Sequence, residues 1–217
     1  MESSSNRYSI NEEIANSITH GIGVVLAIGA LGILATFAGI YGNPWHVISV
    51  SVYGFTLILL YTASTLYHSI QVPRTKAILQ ILDHSAIYML IAGTYTPFTL
   101  VNLRGPWGWS LFAVVWCLAC IGTTIQLGQM ERWRVVSLVL YVGMGWTILV
   151  AIKPLISSVA TGGLILLLMG GLAYTFGLLF YRWKSLKFNH AVWHIFVLTG
   201  SILHFFAVLF YVIPIQT

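Results

Sequence analysis

Seven runs of apolar residues, each long enough to cross a lipid bilayer, occupy residues 18–41, 45–68, 77–101, 107–129, 135–152, 158–181 and 190–213. A helix needs roughly 20 such residues to span the ~30 Å hydrocarbon core. The breaks "YGNPW", "IQVPRTK", "NLRGPWG", "GQMERWR", "IKPLISS" and "YRWKSLKFN" hold the prolines, charges and interfacial aromatics expected at loop and headgroup depth. Composition agrees: 58% of residues are hydrophobic and 7% charged, against about a quarter charged in a soluble domain. The expected fold is an all-α integral membrane protein, a seven-transmembrane helix bundle forming one domain over residues 1–217, with a short polar N-terminal segment 1–17.

Basic residues orient the chain. Arg7, Arg74, Lys76, Arg132, Arg134, Arg182, Lys184 and Lys187 fall on one side, eight of the ten, and only Arg104 and Lys153 on the other. Lys and Arg accumulate in cytoplasmic loops, so the N-terminus is expected in the cytoplasm and the C-terminus outside. The opening stretch "MESSSNRYSINEEIANSITH" holds three acids and lacks the basic region and cleavage site of a signal peptide. The formal charge of +5 follows from the loop bias and suits anionic lipid heads, so no nucleic-acid partner is called for. Cys117 and Cys120 make a lone C-x-x-C inside an apolar run, the pattern of small packing residues rather than of a redox pair.

The ionisable residues then fall at one depth. His68 ends the second run, Asp83 lies near the start of the third, and His190 and His194 open the seventh. On a helix the His-x-x-x-His spacing puts both imidazoles on one face. Ser64 precedes His68 by one turn, and Glu12, Asn16 and His20 follow at four-residue steps where the first run begins. Ionisable groups inside a membrane are costly and face the bundle interior or a cavity. Two imidazoles one turn apart and a third from another helix form a donor set that Zn²⁺ accepts, with a fourth position for water. The plainer alternative is a set of histidines that only hydrogen-bond between helices. His84 reads as a packing residue or a ligand, His204 as an interhelical hydrogen-bond donor and His46 as interfacial.

The stretches "EEIANSITHGIG", "STLYH", "LDHSAIYMLIAGTYTP" and "NHAVWH" with "LHFF" after it resemble the motifs of the bacterial hemolysin III proteins, the prokaryotic branch of the progestin and adiponectin receptor superfamily. The resemblance implies a multi-pass protein of the bacterial plasma membrane with a zinc ion held by His68, His190 and His194. It places Asp83 and Ser64 beside the ion, and Glu12, Asn16 and His20 in the family's first motif.

Zinc supplies a Lewis acid and an activated water together. The residue after His190 is Ala191, where soluble metalloproteases carry a glutamate base, which leaves Asp83 as the expected proton acceptor. A site at headgroup depth suits an amide or ester of a membrane lipid, so one reading is a zinc-dependent, ceramidase-like lipid hydrolase. A second is a lipid or membrane-state sensor with structural zinc. A pore or transporter is disfavoured, because transporters place their sites near the midplane.

Overall fold

The computed structural model describes residues 8–128 and 134–215. Arg7, Arg132 and the side chain of Arg134, used above to orient the chain, lie outside the described residues. Each expected run is a helix: α1 (Ile10–Tyr41), α2 (Pro44–Ser69), α3 (Pro73–Asn102), α4 (Pro106–Gly128), α5 (Val135–Ser158), α6 (Thr161–Arg182) and α7 (Asn189–Tyr211). Sequential neighbours pack side by side and α7 returns to α1, which closes the ring, while α5 sits against α3, α4 and α6. Large apolar side chains such as Ile22, Phe55, Leu127, Ile165 and Leu179 point outward, as a lipid solvent requires.

α1 starts eight residues earlier than the apolar run at 18, and a capping box explains why. Ser9 accepts the Glu12 N–H at 3.4 Å while Glu12 accepts the Ser9 N–H at 2.9 Å. Two otherwise orphaned donors are satisfied and the helix is fixed at Ile10. Its 32 residues extend about 48 Å at ~1.5 Å per residue. That exceeds the ~30 Å hydrocarbon thickness. α3 likewise starts at Pro73, whose missing N–H costs nothing in the first turn, and this draws Lys76 into the helix.

Two helices are irregular inside the membrane. After Pro97, α3 widens into a π-turn over Phe98–Asn102, closed by the Leu103 N–H donating to Phe98 O at 2.8 Å. α5 breaks after Trp146 into a 3₁₀ segment, Thr147–Ala151. The Tyr95 hydroxyl of α3 repairs this break: it accepts the Ile148 N–H and shares its one proton between Met144 O and Gly145 O, each at 2.9 Å. Backbone groups freed in lipid need such partners.

Close approach fixes the remaining contacts. A β-carbon on Gly23 would fall 2.4 Å from the Tyr61 ring, so α1 and α2 touch there only because that position is glycine. Tyr61 and Tyr174 place their hydroxyls 2.7 and 2.9 Å from Ser201 Oγ, joining α2 and α6 to α7. His204 Nε2 lies 3.1 Å from Leu167 O, the interhelical bond its position suggested. Cys117 and Cys120 depart from expectation: both are free thiols on the outward face of α4 rather than packed within the bundle.

Candidate metal centre

The last turn of α2 and the first two turns of α7 meet over the start of α1. His68, His190 and His194 each present one ring nitrogen, and these atoms lie within 4.8 Å of one another. All three residues are buried. The ring centroids of His190 and His194 stand 4.4 Å apart, and His68 lies 5.0 Å from His190 and 5.2 Å from His194.

Hydrogen bonds decide which nitrogen is free in His68 and His194. His68 Nδ1 is 2.6 Å from Glu13 Oε2, and a carboxylate only accepts, so Nδ1 carries the proton. His194 Nδ1 is 3.2 Å from Asn16 O, again an acceptor, so it too is protonated. Thr19 Oγ1 stands 3.1 Å from the same nitrogen. The Nε2 atoms of His68 and His194 therefore carry lone pairs, and both are buried with no hydrogen-bond partner among the described residues. Neither ring nitrogen of His190 has one. A buried polar atom without a partner costs about 1–3 kcal/mol, and several converging on one point satisfy that cost together by holding one cation. Metal-bound histidines characteristically donate their second N–H to a carboxylate or carbonyl, the arrangement that His68 and His194 show.

Local structure explains the placement. Phe188 takes a left-handed conformation, φ 58°, to turn the chain into α7. Its N–H donates to Glu12 Oε1 at 3.2 Å. Asn189 donates through Nδ2 to Phe180 O and Tyr181 O at 3.0 and 3.2 Å, which pins the start of α7 to the end of α6. Tyr8 covers His190 with its ring 4.9 Å away.

The other expected site residues divide. Asn16 supplies its carbonyl to His194, and the His20 ring stacks on His194 at 3.5 Å with 13° between planes. Glu12 does not face the histidines; it caps α1 and holds Phe188. Its neighbour Glu13, not singled out from the sequence, is the acid that reaches His68. Among the described residues, Glu13 and Asp83 are both buried acids. The "SINE" capping box at residues 9–12 was the available signal, because it starts the helix at Ile10 and sets which face each acid takes.

Ser64 is buried one turn before His68, and its Oγ has no partner. Asp83 is buried, with Oδ2 3.9 Å from His84 Nδ1. His84 bonds Gln80 O through Nδ1 at 2.8 Å and takes no part in the trio. A cavity of about 130 Å³ lies between α1, α2, α3, α5, α6 and α7; the trio does not line it, but His20, whose ring stacks on His194, does. Asp83 and His20 line it, together with Leu60, Leu90, Val197 and other apolar side chains.

A protein with seven spanning helices and a buried histidine trio at one end of the bundle is a multi-pass membrane protein with a candidate metal centre. Residues 8–205 match the family described as haemolysin-III related, and the chain belongs to that family. It is 52% identical over 205 residues to "Hemolysin-3" of Bacillus cereus, covering 94% of each chain. It is 49% identical over 208 residues to "Hemolysin-3 homolog" of Bacillus subtilis (strain 168), covering 96% of this chain and 98% of that one. A distant relative is the human "Monocyte to macrophage differentiation factor", 29% identical over 203 residues and covering 91% of this chain and 83% of the other. The chain is a multi-pass bacterial membrane protein.

Proposed function

We propose that this protein binds zinc through His68, His190 and His194, with its N-terminus and the site on the cytoplasmic side, and hydrolyses an amide or ester of a membrane lipid. The observation that carries this reading is the convergence of unpartnered imidazole nitrogens, linked through His20, which stacks on His194, to an apolar cavity whose wall holds the buried carboxylate of Asp83. Zinc prefers such nitrogen donors in tetrahedral geometry at about 2.0–2.1 Å and supplies Lewis acidity toward a carbonyl and water. The apolar wall, with Leu60 and Leu90, accepts a hydrocarbon chain and excludes bulk water. Asp83 takes the proton from the attacking water and returns it to the leaving amine or alcohol as the C–N or C–O bond breaks. Ser64 Oγ is a free hydrogen-bonding group one turn from His68 and orients the carbonyl.

One observation favours a sensor instead. His68 comes from α2 and the other two histidines from α7, so a bound ion would fix the register of two helices without any turnover. A pore is not favoured, because the three histidines that could hold a metal ion gather at one end of the bundle.

The test is product release by mass spectrometry from lipid amides and esters incubated with purified protein in detergent. Cleavage that stops on chelation and returns with added zinc is expected. Absence of turnover across several lipid classes by zinc-loaded protein would replace the hydrolase with the sensor.

A further inference from the structure

Lys76 counts as an ordinary loop cation in the sequence, yet its ammonium is buried between α1, α2 and α3. Lys76 Nζ donates to Glu13 Oε1 at 2.8 Å and to Tyr67 O at 3.0 Å, and lies 4.7 Å from the centre of the Tyr67 ring. The other Glu13 oxygen, Oε2, accepts from His68 Nδ1 at 2.6 Å. One carboxylate therefore links a buried cation to a histidine of the trio, with each oxygen committed to one partner.

We infer that Glu13, clamped by Lys76, is the positioning residue of the metal centre, holding His68 with Nδ1 protonated and Nε2 turned toward the nitrogens of His190 and His194. This rests on the metal-binding reading above. A salt bridge that served only to tie α1 to α3 would need no third partner, whereas here the 2.6 Å contact to His68 is the shortest of the three. Lys76 removes the freedom of the Glu13 side chain to rotate away. Glu12, next in sequence and about 100° around the helix, holds the Phe188 N–H two residues before His190. α1 supplies no ligand to the trio, yet its first turn aligns both helices that do.

Breaking a buried ion pair by removing one partner strands the other charge and endangers the fold. The informative protein is therefore the double variant Glu13→Gln with Lys76→Met, which leaves no uncompensated charge. It is compared with wild type, Glu13→Gln alone and Lys76→Met alone, all full length in detergent. Three readouts are needed: zinc affinity by competition with a chromophoric chelator, the visible spectrum of the Co²⁺-substituted protein, and thermal unfolding without metal.

A purely structural pair predicts that the double variant recovers both stability and zinc affinity. The positioning role predicts that it recovers stability but binds zinc about 10–100-fold more weakly, the range for lost outer partners of metal ligands, with a changed Co²⁺ spectrum. Lys76→Arg, which keeps the charge, should bind zinc like wild type. Wild-type affinity and an unchanged spectrum in the double variant would overturn the inference while leaving the metal centre standing. Wild-type protein that binds no zinc would overturn both.

Discussion

The two ends of the bundle spend their polar residues differently. At the end formed by the start of α7, the close of α2 and the first turns of α1, the histidines turn nitrogens without partners toward one another. At the opposite end Asn43 and His46 complete local structure. His46 Nδ1 accepts the Asn43 N–H at 3.2 Å and Asn43 Oδ1 accepts the Trp45 N–H at 2.9 Å, which together cap α2. Arg104 lies 4.2 Å over the Trp45 ring, a cation resting on an interfacial aromatic. The difference separates histidines that finish a helix from histidines whose converging nitrogens could hold a metal ion, and burial alone does not make it, since His46 is buried as well.

The comparison is sharpened first by asking which end faces the cytoplasm. Reporters fused to the two termini should give an all-or-none answer, active inside at the N-terminus and outside at the C-terminus. The reverse would put the histidine trio in the outer leaflet and remove the assignment of the substrate to the inner one. Asp83→Asn comes next in size: it keeps the side chain's shape and removes the proton acceptor, so lipid hydrolysis should fall by roughly 10²–10⁴-fold while zinc stays bound. Equal rates, measured by product release from zinc-loaded proteins, would remove Asp83 as the base.

Tyr95→Phe lies between the ends. It leaves the Ile148 N–H of the broken α5 without an acceptor, and thermal unfolding should show a loss of about 1–3 kcal/mol with zinc content unchanged. Asn43→Ala, at the capped end, should cost about 1 kcal/mol and leave zinc affinity at the wild-type value. A loss of zinc from either of these two variants would mean that the ends are not independent.

The spans were legible because lipid demands uninterrupted apolar length, and six of the seven begin within about four residues of the sequence reading. α1 was misjudged by eight residues because hydropathy is blind to a capping box, and that error hid Glu13 behind Glu12. His68, His190 and His194 were legible from spacing and depth. Lys76 was not, because a lysine at a loop counts toward topology unless Pro73 is seen to start α3 three residues before it. Tyr95 could not be paired with the α5 break from sequence, since that bond joins positions 53 residues apart.

A metal site and a set of packed histidines differ in what the purified protein carries. Elemental analysis of purified protein, with zinc-edge anomalous scattering from its crystals, separates the two most directly. The account predicts about one zinc per chain, as a tetrahedral three-histidine site requires, with the anomalous peak between His68, His190 and His194 and loss of the metal in His68→Ala and His194→Ala. A metal-free wild-type protein, or full zinc occupancy in both variants, would contradict it.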